Sequence, residues 1–325
     1  MDNVTHALHG LGLYAVAATD PTIAQDPMAM SAVLWAASLG SQAPDFDFVI
    51  RLFAGDVAYL RHHRGISHSI PAWFLWPTFL AGVLVLFHPG HFAQLWWWSF
   101  LGVLVHVGMD LLTTYGTVAF WPLSKKRIGL DILMIIDVVL WVFGGIGIYL
   151  WLAGFPPQQV LLYTGLPSLL YILLRIGIHL YLRMQVRQRF CDDTVCRISI
   201  IPFLGLFRWN FVVEHHESYT LGAAHVRKGI RVDNSYKRVK EDDRFRPAAQ
   251  SKVYGTFRWF ARHLLLEHQE REDGHVQVNM ADLAYRFRDR LPMTAHVVLD
   301  PEGNIVEERL GKKEVQKIAK RKYAK

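Results

Sequence analysis

Two short segments hold the residues best able to do chemistry: His62-His63-Arg64-Gly65-Ile66-Ser67-His68 and His106-Val107-Gly108-Met109-Asp110. Upstream stand His6 and the pair Asp45 and Asp47. Imidazoles and carboxylates together suit a borderline cation such as zinc or manganese. The sequence around them is apolar, and ionisable groups inside or beside membrane helices are costly enough to be functional candidates by default. The first reading is a divalent-metal site held at a membrane surface.

His106 and Asp110 are four apart, so a helix puts them on one face. A metal can bridge them, or Asp110 can orient His106. The alternative is a His–Asp hydrogen bond that only packs helices. Gly65 allows a turn that brings His63 and His68 together, and Arg64 is an always-charged fork suited to phosphate or carboxylate. A basic loop held by an anionic leaflet is the alternative there. Pro44 ends a helix just before Asp45 and Asp47. Two acids one residue apart in a turn can supply one ligand and one base, or merely punctuate the helix. His6 is a ligand candidate through the company it keeps. Asp137, inside Ile135-Ile136-Asp137-Val138-Val139, needs a metal, a histidine or a proton as partner, whereas Asp131 reads as a helix cap. Glu214-His215-His216-Glu217 looks metal-like but stands at a strand end without a second set of donors.

The elements that must position these groups follow from composition. The chain has 325 residues, 52% of them hydrophobic. Residues 1–183 hold eight Lys or Arg and nine acids, while residues 184–325 hold 27 basic residues against 19 acids. A near-neutral membrane domain is therefore followed by a basic soluble one. Thr5 to Ala18 and Met28 to Leu39 read as helices shorter than the roughly 20 residues a span needs. Stronger spans are expected at about 70–88, 95–115, 132–153 and 160–182. Basic residues at Arg51–Arg64, at Lys125-Lys126-Arg127 and in the C-terminal domain put those three regions on the cytoplasmic side. His6, Asp45, Asp47, His62, His63, His68 and Asp131 then converge at one depth with His106 and Asp110.

Beyond residue 195 the pattern becomes strand-like over Val195–Ile201, Trp209–Glu214, Tyr219–Val226, Val276–Val278 and His296–Leu299, with a last short strand after Asp300-Pro301-Glu302-Gly303. Ala248–His268 reads as one amphipathic helix. The expected fold is an all-α membrane domain of two short plus four full spans over residues 1–183. A small cytosolic α+β domain follows over 184–325. Cys191 and Cys196 are expected as reduced thiols, and the run Lys312 to Lys325 as a solvated or membrane-facing charge run rather than a nucleic-acid site.

Thr5-His6, Pro44-Asp45-Phe46-Asp47, His63-Arg64-Gly65-Ile66-Ser67-His68-Ser69 and His106-Val107-Gly108-Met109-Asp110 together resemble the bacterial membrane-bound metal-dependent hydrolases of the inner membrane. The match covers residues 1–183, and the region around Pro202 to Glu214 is similar to the tail of a longer branch of that family. The family is in turn distantly similar to zinc-dependent phospholipase C and the zinc-dependent single-strand nucleases. The resemblance implies His6, Asp45, His63, His68, His106 and Asp110 as metal ligands, with Asp47 a ligand or a base. The soluble enzymes also use a processed N-terminal amino group as a ligand. Met1-Asp2 departs from that pattern, so one or two metals are expected.

Three functions are compatible with these residues. In the first, the protein is a metal-dependent hydrolase of a phosphoester or lipid-linked substrate at the cytoplasmic face of the bacterial inner membrane. Zinc, or manganese, would activate water, Arg64 would stabilise phosphate charge, and Asp47 would be general base or water-orienting group. In the second, a structural or sensory metal site accompanies a C-terminal domain, residues 184–325, that recruits a cytosolic protein or anionic lipid. In the third, the protein is a transporter. Transport predicts polar residues through the whole depth of the bilayer, and here they gather on one side.

Overall fold

The computed structural model describes residues 1–191, 197–239, 241–287 and 290–311. The run Lys312 to Lys325, Val195 and Cys196 lie outside them. Cys191 is disulfide-bonded, against the expectation of a reduced thiol.

Carboxylate caps start the N-terminal helices. Helix α1 (Asn3–Ala17) begins at Asp2, whose side chain accepts from Thr5 N at 3.1 Å. Asp20 caps the single turn α2 (Pro21–Ala24), and Asp26 caps α3 (Pro27–Gly40), each with proline in the first helical turn, where no N–H is needed. A 3-10 turn (Ala43–Phe48) follows, then α4 (Val49–His62), which is two short helices joined at Gly55, where φ is 78°. A second 3-10 turn (Ile66–His68) leads into α5 (Ile70–Leu84) and then α6 (Phe92–Leu111). Residues 112–137 are irregular, tied by isolated bridges Thr113–Leu133 and Thr117–Ile128. Helix α7 (Val138–Leu152) is capped by Asp137, which accepts from Val139 N at 3.2 Å and from the Tyr171 hydroxyl. A tyrosine hydroxyl and a backbone N–H thus take the place of the metal, histidine or proton that the sequence calls for at this carboxylate. Asp131, expected as the cap, instead sits in the irregular stretch with φ 59°. The single turn α8 (Pro157–Val160) continues through a π turn into α9 (Leu166–Phe190).

Among the described residues, two helical stretches are long and apolar enough to cross a membrane, Phe92–Leu111 and the continuous Pro157–Phe190. Helices α5 and α7, expected as full spans, have 15 residues each. At 1.5 Å per residue they reach about 22 Å, less than the roughly 30 Å of a hydrocarbon core. Helix α5 ends at Leu84, with Val85 as its C-cap, and the Asp137 cap fixes the start of α7. Small residues draw α3 against α6: a Cβ on Gly40 would meet Ser99 O at 2.5 Å, and one on Gly102 would meet Ser41 N at 2.8 Å.

The chain divides into two compact units, Met1–Val49 with His62–Gly177, and Ile50–Arg61 with Ile178 onward. In the second unit, β1 (Arg197–Pro202), β2 (Arg208–Glu214), β3 (Ser218–His225) and β4 (Gly229–Lys237) form one antiparallel sheet in that order. Helix α10 (Lys252–Phe260) precedes β5 (Leu264–Glu270), β6 (Val276–Asp282), β7 (Thr294–Leu299) and β8 (Ile305–Leu310), a second antiparallel sheet. The helix expected over 248–268 is therefore a helix and a strand. The chain turns extended at Ala261, and Asp282 accepts from the backbone N–H of Arg262 and His263, fixing the start of β5. Ile178, Leu182 and Val186 of α9 pack on one face of the first sheet with Trp209, Phe211 and Val213. Ile201, Val212 and Leu221 meet Leu265, Ala281 and Leu283 between the sheets.

Candidate metal centre

Four donors from three places in the sequence converge. Asp45 comes from the turn after α3, His68 from the turn before α5, and His106 and Asp110 from one face of α6. All four are buried, and each offers a donor atom within 4.8 Å of the others. His68 Nε2 lies 3.2 Å from His106 Nε2, 3.2 Å from Asp110 Oδ2 and 3.4 Å from Asp45 Oδ1. His106 Nε2 lies 3.5 Å from Asp110 Oδ2 and 3.6 Å from Asp45 Oδ1. A tetrahedral ion with bonds of 2.0–2.1 Å needs donors about 3.3 Å apart. The observed edges have that size.

The hydrogen bonds on the far side of each imidazole decide which nitrogen carries the proton. His106 Nδ1 lies 2.7 Å from the carbonyl oxygen of Ser41, so it must be the donor. Ser67 donates its hydroxyl to Asp47 Oδ2 at 2.8 Å, so at 2.9 Å from His68 Nδ1 it accepts. Both Nε2 atoms are then bare lone pairs. Two lone pairs 3.2 Å apart, facing two carboxylate oxygens, repel one another unless a cation lies among them. Asp45 Oδ1 is buried and accepts no hydrogen bond, as an anionic ligand atom reserved for an ion would be. Burial drives the His68 imidazole down to about 3, against the pull of Asp45, so it stays neutral.

Asp45, Asp47 and His63 form a second group of donors within 4.8 Å of one another. Asp47 binds this group together: it accepts from His63 Nδ1 at 2.8 Å, from Arg64 N at 3.0 Å and from Ser67. Burial pushes its carboxyl up, and His63, His68 and Ser67 more than reverse that. Asp45 belongs to both groups.

His6 is in neither group, though it is at the site. Its ring stacks on His106 with centroids 3.6 Å apart, and its Nε2 lies 3.4 Å from Asp110 Oδ1. Neither nitrogen of His6 has a hydrogen-bond partner. The Met1 amino group forms an ion pair with Asp110. Arg64, with φ 56°, spends its fork on the protein: Nε lies 3.0 Å from Asp110 Oδ2, and the two terminal nitrogens donate to Thr113 Oγ1 and Met1 O. His62 is exposed at the end of α4 and joins neither group.

Several contributors carry no signal in the sequence. Ser41 acts through its backbone carbonyl, which no side chain advertises. Arg127, read as an orientation signal, donates to His63 O at 2.8 Å and stacks over Tyr115, which also lies under Arg64. Thr117 and Val118 both donate to Arg64 O. The irregular stretch after α6 is thus a brace for the His63-Arg64 backbone.

In the second unit, Glu214 pairs with Arg238 and His263. His263 Nε2 also lies 2.8 Å from Ser199 Oγ. The order serine, imidazole, carboxylate is relay-like, but His263 is fully buried and Ser199 is 4% exposed. The network fastens one sheet to the other.

Residues 1–184 match the model of a family described as YdjM inner membrane protein, and residues 244–322 match that of a YfhP C-terminal alpha/beta plait domain. The chain is 31% identical over 300 residues to a protein of Bacillus subtilis (strain 168) described as uncharacterized protein YfhP, covering 91% of this chain and 90% of that one. No solved structure matches significantly.

Proposed function

This chain belongs to the YdjM inner membrane protein family, and we propose that it is a membrane-bound, metal-dependent hydrolase of a phosphoester, with its ion at Asp45, His68, His106 and Asp110. What supports the reading is the set of four buried lone-pair atoms whose separations suit a tetrahedral ion. Zinc fits two imidazoles and two carboxylates, and manganese is the alternative. An ion there would supply Lewis acidity and lower the pKa of a water molecule toward about 7. The protein's own residues do the rest. Ser41 and Ser67 fix the imidazole tautomers. Asp47 orients His63 and Ser67, a role that suits a carboxylate with both oxygens engaged better than that of a free base. Arg64 balances the charge of Asp110 rather than reaching outward. His63 is the most exposed of the donors, with a side chain 13% exposed. The Asp45–Asp47–His63 group is therefore the side from which a substrate approaches and where a second ion would sit. The basic residues at Arg51–Arg64, at Lys125-Lys126-Arg127 and in residues 184–325 favour the cytoplasmic face of the inner membrane for this reading.

A second reading has an observation in its favour. Four donors with almost no exposure are the pattern of a closed, structural ion. In that case the metal is structural or sensory, and the basic C-terminal domain recruits a cytosolic partner or lipid. Zinc-loaded protein assayed on bis(p-nitrophenyl) phosphate and on phosphatidylglycerol vesicles separates the two. Turnover that disappears in both His68→Ala and His106→Ala supports the hydrolase. Stoichiometric zinc with no turnover of any phosphoester supports the second reading.

A further inference from the structure

Residues 50–61 lie between the two segments that supply the Asp47–His63 donor pair, yet they pack as part of the second compact unit. The excursion is closed at its base. Asp47 and His63 meet at 2.8 Å, and Asp47 also holds Arg64 N and Ser67. Residue 50 stands three positions after Asp47 and residue 61 two before His63, so only a short run of backbone separates the excursion from either donor. Most of α4 is exposed, and Leu60 is its buried residue. The adjacent Arg61 places its guanidinium 5.0 Å from the ring centroid of Trp259 in α10. Indole is the strongest partner for such a cation. Arg61 is two residues from His63. Gly55, with φ 78°, gives the excursion a bend on the opposite side of this anchor.

We infer that Arg61 and Trp259 are positioning residues for the Asp47–His63 donor pair, so that filling the metal site and seating residues 50–61 on α10 are linked. The inference rests on the metal-site reading above, but not on hydrolysis. It ties the C-terminal domain to the site in both directions, since the state of that domain is felt at the donors and the state of the donors is felt by it. Linkage requires the effect to be reciprocal and no larger than the contact that carries it. An exposed cation–π pair is worth roughly a 2–5-fold change in an equilibrium constant.

The test uses the full chain in nanodiscs with zinc alone as probe. Hydrogen exchange is followed with and without zinc, and zinc affinity is measured by chelator competition. Zinc is expected to slow exchange in residues 43–48 and 62–68, and also in residues 252–260. Trp259→Ala and, independently, the surface change Arg61→Ala should abolish the response at 252–260 and weaken zinc binding roughly 2–5-fold. Trp259→Phe keeps a ring face and should restore both. The inference is overturned if zinc protects the donor segments while 252–260 stays unchanged in the wild type. It is equally overturned if Arg61→Ala binds zinc as tightly as the wild type. If the wild type binds no zinc, the metal site itself fails and this inference fails with it.

Discussion

Ser67→Ala tests the tautomer argument without touching a ligand. The Ser67 hydroxyl donates to Asp47 Oδ2 at 2.8 Å and accepts from His68 Nδ1 at 2.9 Å. Its removal leaves a fully buried imidazole N–H without an acceptor on that side. An orphaned buried donor costs about 1–3 kcal/mol. In the metal-free protein His68 can escape that cost by moving its proton to Nε2, which then points at Asp110 Oδ2, 3.2 Å away. That shift removes the lone pair an ion needs. Metal binding must then reverse the shift, so about 1–3 kcal/mol appears as roughly a 5–150-fold loss of affinity, in line with the 10–100-fold typical of groups that orient a metal ligand. Ser67→Thr keeps the hydroxyl and should stay within a few-fold of the wild type. Chelator-competition titration of purified protein reads both. Zinc binding by Ser67→Ala within about twofold of the wild type would show that Ser67 does not set the tautomer.

Other expectations follow from the same geometry. Gly102→Ala puts a Cβ 2.8 Å from Ser41 N, a backbone atom that cannot swing away, so thermal unfolding should show a loss of about 1–3 kcal/mol and metal affinity should fall as Ser41 O leaves His106. Gly108→Ala on the same helix meets nothing within 4 Å and should be close to neutral. Arg64→Lys keeps the charge but cannot reach Asp110, Thr113 and Met1 O together, and should cost about 2 kcal/mol by the same measurement, from two lost hydrogen bonds at about 1 kcal/mol each. Burial lowers His68 from its ordinary value of 6.5 to about 3, so its contribution to stability is complete above pH 6.5 and drains away as the pH falls toward 3. Metal-free wild type should therefore lose melting temperature between about pH 6.5 and 5, and His68→Asn should lose less over that interval. An equal loss in both proteins would assign the acid sensitivity elsewhere.

Much of the site was legible because its donors are chemically rare in apolar sequence. His106 with Asp110, four apart on a helix, and His63 with His68, on either side of Gly65, could each be paired from spacing alone. What joined them to Asp45 could not, since that contact depends on α3 and α6 approaching through Gly40 and Gly102. The tautomers were hidden for a similar reason. Ser41 contributes a backbone oxygen, and Ser67 reads as an ordinary loop serine until Asp47 is seen beside it. Arg64 reads in the sequence as a fork for phosphate or carboxylate, and the group beside it is the carboxylate of Asp110, with Met1 O taking one terminal nitrogen. In the C-terminal domain, alternation found most strands, but β4, with its exposed and half-buried faces, left no clear signal. The apolar run from Phe257 to Leu265 concealed a break made by Asp282, far downstream in the chain. The start of α7 was hidden because hydropathy does not register the Asp137 cap or the irregular brace before it.

The central claim is that Asp45, His68, His106 and Asp110 hold one ion, and metal content tests it most directly. Wild-type protein purified under metal-replete conditions should carry about one zinc or manganese per chain, or two if Asp45, Asp47 and His63 also fill. His68→Ala and His106→Ala, folded by circular dichroism, should lose it. A metal-free wild type, or variants that keep their metal, would contradict the site.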